Sequence, residues 1–306
     1  MTTDRPPVGI ALMLGFCCLI PFSDAIAKIL GARFPIAELV AVRFSAQFLL
    51  LAPIAWLSGQ SLRLEGRILW LAVLRTLLHI LGLGGMFLAL RYLPLADAVA
   101  IAFVLPFISL LLGWLVLNET VGTRRLVACA VGFCGTLLVV QPSFAEVGAP
   151  ALLPLGVALV FALFLLITRQ ISQAADPVAL QATSGAIACA LLAPVFLWGA
   201  QSGHEPLALL MPAGGDLALF ALLGLFGTGA HLLMTWAYRF APTATLAPMQ
   251  YIEIPVATSV GWLVFRDFPN GLAFMGIAIT IGAGLYIIAR ERSVSRAMKR
   301  ASAATG

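Results

Sequence analysis

Ionisable and polar side chains set inside long apolar runs are where this sequence can do chemistry. Asp24, Lys28, Arg43, Arg75, His79, His231 and Glu253 all interrupt such runs. An ionised group in an apolar layer is costly enough to default to a functional or a pairing role. Asp24 and Arg43 lie at matching distances from the ends of their runs, about 10 Å and about 9 Å at the helical rise of ~1.5 Å per residue. Their spacing predicts an ion pair, with Lys28 one turn above Asp24 on the same face. Such a trio reads as a gate, or as a contact for the amine and carboxylate of a bound solute. A structural salt bridge, or the polar wall of a water-filled vestibule, is the plainer alternative.

A second pair is expected between Arg75 and Glu253, about 10 Å and about 13 Å from the inner ends of their helices. Glu253 is the carboxylate nearest the middle of its layer, which makes it a candidate proton-coupling group; a neighbouring Arg75 would make it a plain counter-ion. His79, Gln47, Trp236, His231, Gln250 and Tyr251 add donors and aromatic surface at similar depth. With Glu253 they are the expected lining of a central cavity, since a few polar groups on aromatic walls suit a small amphipathic solute. Each also has an ordinary role open to it, as packing or as a hydrogen bond between helices. Pro21, Pro106 and Pro255 each remove a helical hydrogen bond in mid-run and are candidate hinges.

Other chemistries find no support. The five cysteines (Cys17, Cys18, Cys129, Cys134, Cys189) all sit in apolar runs and read as free, buried thiols. No zinc spacing, no paired aspartates at depth, no His-Glu-x-x-His or Gly-x-Ser-Gly pattern and no phosphate-binding loop is present, which argues against an enzyme and against an ATP-driven pump. No cofactor and no metal are expected. The net charge of +5 would suit nucleic acid, but most of the charges sit at helix ends, where they set orientation. No nucleic-acid partner is expected.

The elements that hold these groups follow from composition. The 306 residues are 61% hydrophobic and 10% charged, against about 25% charged in a soluble domain. The chain therefore reads as an integral membrane protein surrounded by lipid. A helix of about 20 apolar residues spans the ~30 Å hydrocarbon layer, and unbroken runs exclude the alternation of a membrane barrel. The expected fold class is all-α with ten transmembrane helices. They run over roughly 8–30, 37–57, 68–90, 95–117, 125–140, 151–171, 177–200, 216–238, 244–265 and 271–289. The first run is too long for a signal-peptide core and is taken as retained.

One stretch occurs twice. Arg91-Tyr92-Leu93-Pro94, the central Pro106, Gly113-Trp114 and Glu119 return as Arg239-Phe240-Ala241-Pro242, Pro255, Gly261-Trp262 and Asp267. The offset is 148 residues for 91 and 239, 94 and 242, and 114 and 262, and the central proline slips by one. Gly82, Gly84 and Gly85 likewise echo Gly224, Gly227 and Gly229, as small residues that let helices approach. The repeat predicts two halves, 1–145 and 146–290, with the seam in the loop Pro142–Pro150 and a basic tail over 291–306. An odd number of helices per half makes the repeats inverted. With the N-terminus inside, the cytoplasmic face carries Arg5, Arg63, Arg67, Arg124, Arg125, Arg169, Arg239 and five tail residues, and the other face only Arg33, Arg91 and Arg266. That asymmetry predicts cytoplasmic termini.

The residues Ala89-Leu90-Arg91-Tyr92, Pro94, Pro106, Gly113-Trp114 and Glu119, with their echo from Ala237-Tyr238-Arg239-Phe240 to Asp267 and with Val42-Arg43-Phe44, resemble the drug/metabolite transporter superfamily, of the EamA type with ten helices. The resemblance covers nearly the whole chain. It implies a secondary carrier in the bacterial inner membrane that exports amino acids, other metabolites or toxic compounds. The aromatic lining and the absence of a strongly charged pocket favour hydrophobic or aromatic amino acids as the solute, with protons as a candidate coupling ion. The alternative is an exporter of drugs and lipophilic compounds, or a lipid translocator.

Overall fold

The computed structural model describes residues 5–118, 122–203, 205–267, 270–272, 274–283 and 285–286. These residues form helices and turns, with no strand among them. Helix α1 spans Pro6–Gly31, α2 Ile36–Leu57, α3 Gly66–Ala89, α4 Leu95–Ala102, α5 Leu105–Leu117 and α6 Thr123–Val147. Then come α7 Leu153–Ile171, α8 Pro177–Ser202, α9 Gly215–Phe240, α10 Thr243–Leu246 and α11 Glu253–Phe265, and α12 Phe274–Ala283. Among the described residues seven spans are long and apolar enough to cross a membrane, α4 and α5 counting together as Leu95–Leu117. Their outer faces carry exposed Leu49, Trp56, Leu81, Trp114, Leu197 and Trp198, an apolar coat that only lipid covers.

Two of the expected helices are broken, at matching places. The run 95–117 divides between Ala102 and Leu105, two residues ahead of Pro106. The run 244–265 begins with the single turn α10, passes through a 3-10 segment over Ala247–Ile252 and resumes as α11, with Pro255 at its third position. Proline removes the donor that would bond back into the preceding turn and is accommodated in a first turn, where that donor has no partner anyway. The offsets recur here: Leu105 and Glu253, Leu117 and Phe265, each 148 apart, begin and end the second pieces. Both pieces stop on a non-glycine residue in the left-handed region, Asn118 at φ 52° and Arg266 at φ 61°. Pro21 differs, because α1 runs through it from Pro6 to Gly31.

The expected seam also differs. Helix α6 continues past Gln141-Pro142 to Val147, and the chain turns at Gly148, where φ is 68°. A 3-10 turn over Ala149–Leu152 then leads into α7. The basic tail lies outside the described residues.

Packing between the halves follows one pattern. Helix α1 runs against α9, with Gly9 beside Ala241, Gly15 beside Leu233 and Phe22 beside Phe226. Helix α3 runs against α7, with Gly85 beside Val157, Gly82 beside Phe161 and Arg75 bonded to Thr168. Helix α2 runs against α8, with Ser45 beside Cys189, Phe48 against Gly185 and Gln47 bonded to Gln181. In every pair the two chains run in opposite directions. Hydrocarbon gives helices no hydrophobic reason to associate, so close contact at small residues and interhelical hydrogen bonds carry the assembly.

Candidate functional site

A small cavity of about 70 Å³, partly open, lies where the two halves meet. Helices α1, α3 and α4 line it from one half, and α7, α9 and the start of α11 from the other. The repeat is visible in the lining: Met86 and Met234 stand 148 residues apart and both face the cavity. The chemistry is not symmetric. Leu83, Ala102 and Leu105 in the first half correspond to His231, Gln250 and Glu253 in the second, so one half supplies apolar wall where the other supplies polar groups. Asp24 of α1 is the polar contribution of the first half. Phe16, Phe103 and Phe161 form aromatic walls.

The break in the second long helix places Glu253 at the first position of α11, where the positive end of the helix dipole faces a carboxylate. Gln250 sits in the adjoining 3-10 turn, its Nε2 donating to the Tyr238 hydroxyl at 3.3 Å while Oε1 has no partner. Asp24 is 4% exposed. No ion pair within 4 Å joins it to Arg43 among the described residues, although the two charges act on one another.

Arg43 instead reaches across from α2 to α9. It donates to Gln47 at 3.4 Å and to Thr228 at 3.3 Å, and its terminal nitrogen lies 3.1 Å from His231 Nδ1. The same Nδ1 lies 3.1 Å from the Gly227 carbonyl, so it accepts from the guanidinium when the ring proton is on Nε2 and donates to Gly227 when the proton is on Nδ1. Room for Arg43 comes from Gly227, since a Cβ there would overlap the guanidinium.

Next to this lies a polar layer around Arg75, which meets no carboxylate among the described residues. Arg75 donates to Thr168 at 2.8 Å, Ser184 at 2.9 Å and Thr235 at 3.4 Å, and stands 4.6 Å over the Phe164 ring. Gln181 donates to Thr235 at 2.6 Å and to the His231 carbonyl at 2.8 Å, and accepts from Gln47 at 3.0 Å. Arg75, Gln47, Gln181, Ser184, Thr168 and Thr235 are all fully buried. A buried network that is satisfied on most of its atoms is rigid, and it closes α2, α3, α7, α8 and α9 together beside the cavity.

Of the residues expected to line the cavity, His231, Gln250 and Glu253 do so, and Asp24, expected in a gate, joins them. The others are elsewhere. Gln47 belongs to the polar layer. His79 is fully buried behind His231, ring centroids 4.3 Å apart, boxed by Phe44 and Phe164, with neither ring nitrogen bonded. Trp236 packs on Leu51, Ala55, Val178 and Ala182 of α2 and α8, because its register on α9 faces away from the cavity. Tyr251 turns toward α6, its hydroxyl donating to the Cys129 carbonyl at 3.3 Å and its ring filling the space at Gly132. The expected pair of Arg75 and Glu253 is not formed, since Arg75 spends its donors on hydroxyls. Lys28 leaves Asp24 for Asp267 at 3.5 Å and the Leu93 carbonyl at 2.9 Å.

Sequence reasoning missed Gln181, Thr168, Ser184 and Thr235. Gln181, set within the apolar body of α8 and not at its end as Gln201 is, was a usable signal, of the same kind as Gln47 on α2. The aromatic walls carried none, as three of 19 phenylalanines.

Known proteins place this arrangement. The EamA-like transporter family model matches the chain twice, over residues 7–141 and 149–290. A riboflavin transporter of Rhizobium johnstonii is 32% identical over 72% of this chain and 71% of its own. A riboflavin transporter of Vibrio cholerae is 26% identical over 95% of this chain and 96% of its own. An S-adenosylmethionine uptake transporter of Rickettsia felis is 25% identical over 91% of this chain and 90% of its own. A solved crystal structure superposes with a TM-score of 0.71 at 18% identity, covering 93% of this chain and 98% of the other, a likeness of fold. The chain is a multi-pass membrane protein and not an enzyme: it belongs to the EamA-like transporter family, as a secondary transporter of a small molecule.

Proposed function

We propose that the protein carries a small metabolite bearing a flat aromatic or heteroaromatic ring across the bacterial inner membrane, by alternating access around the central cavity. The observation that carries this reading is the lining itself: aromatic walls from α1, α4 and α7 around a few polar groups. Stacking on such walls suits a flat ring. The names of the relatives fit it, since riboflavin and S-adenosylmethionine both contain a fused heteroaromatic ring.

The two halves, 1–145 and 146–290, act in this reading as inverted repeats that rock about the cavity. Support comes from the helix breaks 148 residues apart and from the antiparallel pairing of α1 with α9, α2 with α8 and α3 with α7. Since α1 and α2 are joined by a short turn and run oppositely, those pairings set α7 opposite to α1. Pro106 and Pro255, at the breaks, are the hinges; Pro21 lies in an unbroken helix and is not given that part. The Lys/Arg asymmetry supports cytoplasmic termini. A carrier of this kind follows the gradients of its solute and of any coupled ion, and uptake is the direction named for the Rickettsia relative.

Export of hydrophobic or aromatic amino acids is the weaker reading. An amino acid presents a carboxylate, and no Lys or Arg lines the cavity to meet it. The test is uptake into proteoliposomes of labelled riboflavin, S-adenosylmethionine, phenylalanine, leucine and a lipophilic dye. Ring-bearing metabolites moving and leucine not moving is the expected result. Movement of leucine and phenylalanine alone would overturn it in favour of amino acids, and movement of the dye alone in favour of drugs.

A further inference from the structure

The polar groups of the cavity have one sign, and that determines more than a ring. Asp24 and Glu253 face it from opposite halves and act on each other electrostatically. Gln250, 1% exposed, turns an unpartnered Oε1 to the same region, its amide nitrogen being occupied by Tyr238. No described hydrogen bond or ion pair is made by either carboxylate. The neighbouring cations are committed elsewhere: Arg43 to Gln47, Thr228 and His231, and Lys28 to Asp267 and the Leu93 carbonyl. The positive end of α11, which would favour an anion, is already answered by Glu253 at its first position. What remains is an acceptor set with no ion-paired cation among the described residues, Arg43 acting on Asp24 only from beyond 4 Å, and it is walled by Phe16, Phe103 and Phe161. A cation is attracted both by the carboxylates and by the faces of such rings.

Resting on the reading above, we propose that Asp24, Glu253 and Gln250 form a site for an organic cation, an ammonium or sulfonium centre in the same molecule as the flat ring. The residues thereby set specificity: a ring-bearing molecule with a fixed positive charge is preferred over its counterpart without one.

Matched probes test this in the purified full-length protein in detergent, by equilibrium dialysis. S-adenosylmethionine and S-adenosylhomocysteine differ by the methyl group that makes the sulfur a sulfonium. N-methylquinolinium and quinoline differ in the same sense without the adenosine. The charged member of each pair is expected to bind at least tenfold more tightly. In Asp24→Asn and Glu253→Gln that ratio falls toward one while the neutral member still binds, which also reports that the variant is folded. Glu253→Asp, which keeps the charge, retains most of the ratio. Equal binding within the pairs, or a ratio that survives both neutral variants, overturns the proposal and leaves the ring reading intact. Binding of neither pair and no riboflavin binding overturns both together.

Discussion

Replacing Gly227 by alanine tests whether the Arg43 bridge from α2 to α9 holds the molecule together. A Cβ at this position would overlap Arg43 Nε and stand 2.5 Å from Cζ and 2.8 Å from Cδ. The side chain cannot retreat without giving up Thr228 at 3.3 Å and His231 at 3.1 Å. Hydrogen bonds from a charged donor are worth about 1.5–3 kcal/mol each, so losing two costs roughly 3–6 kcal/mol. Helix propensity returns about 1 kcal/mol on going from Gly to Ala. The net loss, about 2–5 kcal/mol, corresponds to a fall in melting temperature of roughly 5–15 °C. Gly229, two residues on, is the internal comparison: a Cβ there meets only Leu19 Cδ1 at 3.8 Å, an ordinary contact, so Gly229→Ala melts at or slightly above the wild type. Thermal unfolding of the purified protein, followed by tryptophan fluorescence, measures both. If Gly227→Ala melts with Gly229→Ala, Arg43 is not wedged where the bridge requires it, and the argument fails.

Three further outcomes follow from the same contacts. Among the described residues Arg75 has hydroxyl partners and no carboxylate, and Thr168 and Thr235 keep bonds to the Phe164 and His231 carbonyls without it. Arg75→Met is therefore expected to melt within about 1.5 kcal/mol of wild type, and Arg75→Ala a further 2–4 kcal/mol or so lower because of the cavity left; the reverse order would show a charge that needs its place. Phe161→Ala removes a cavity wall worth about 0.5–1.5 kcal/mol beyond its area, raising the KM for a ring-bearing substrate roughly tenfold, while Trp236→Phe, on the α2 and α8 side, leaves KM unchanged in the same uptake assay. Lys28 and Asp267 are 20% and 40% exposed as side chains, so Asp267→Asn shifts stability by less than about 1 kcal/mol.

The all-helical membrane class and the long apolar spans were legible because lipid imposes length and apolarity on every spanning segment; of the ten helices expected, seven are long and apolar enough to span among the described residues. The offset of 148 between Arg91 and Arg239 survives as the matched ends at Asn118 and Arg266, even though the two residue types differ. The sites were less legible. Depth along a helix can be counted, so His231, Gln250 and Glu253 were found. The azimuth of a side chain depends on which neighbour its helix meets, and a uniformly apolar helix gives no stripe to read it from. Trp236 and Tyr251 were placed in the cavity on depth alone and face other helices. Pairing by depth failed for the same reason: Arg75 and Glu253 sit at similar levels but are engaged by different neighbours. The overrun of α6 past Gln141-Pro142 shows the other limit, since proline alone does not stop a helix whose next turns continue to Val147.

The most direct test of the account is counterflow in proteoliposomes preloaded with unlabelled riboflavin or S-adenosylmethionine and diluted into the labelled compound. The wild type should accumulate label transiently, and Phe161→Trp, which fills the cavity, should abolish that exchange while Trp236→Phe leaves it. Unchanged exchange in Phe161→Trp would mean that the substrate passes by another route, and would contradict the cavity as the transport site.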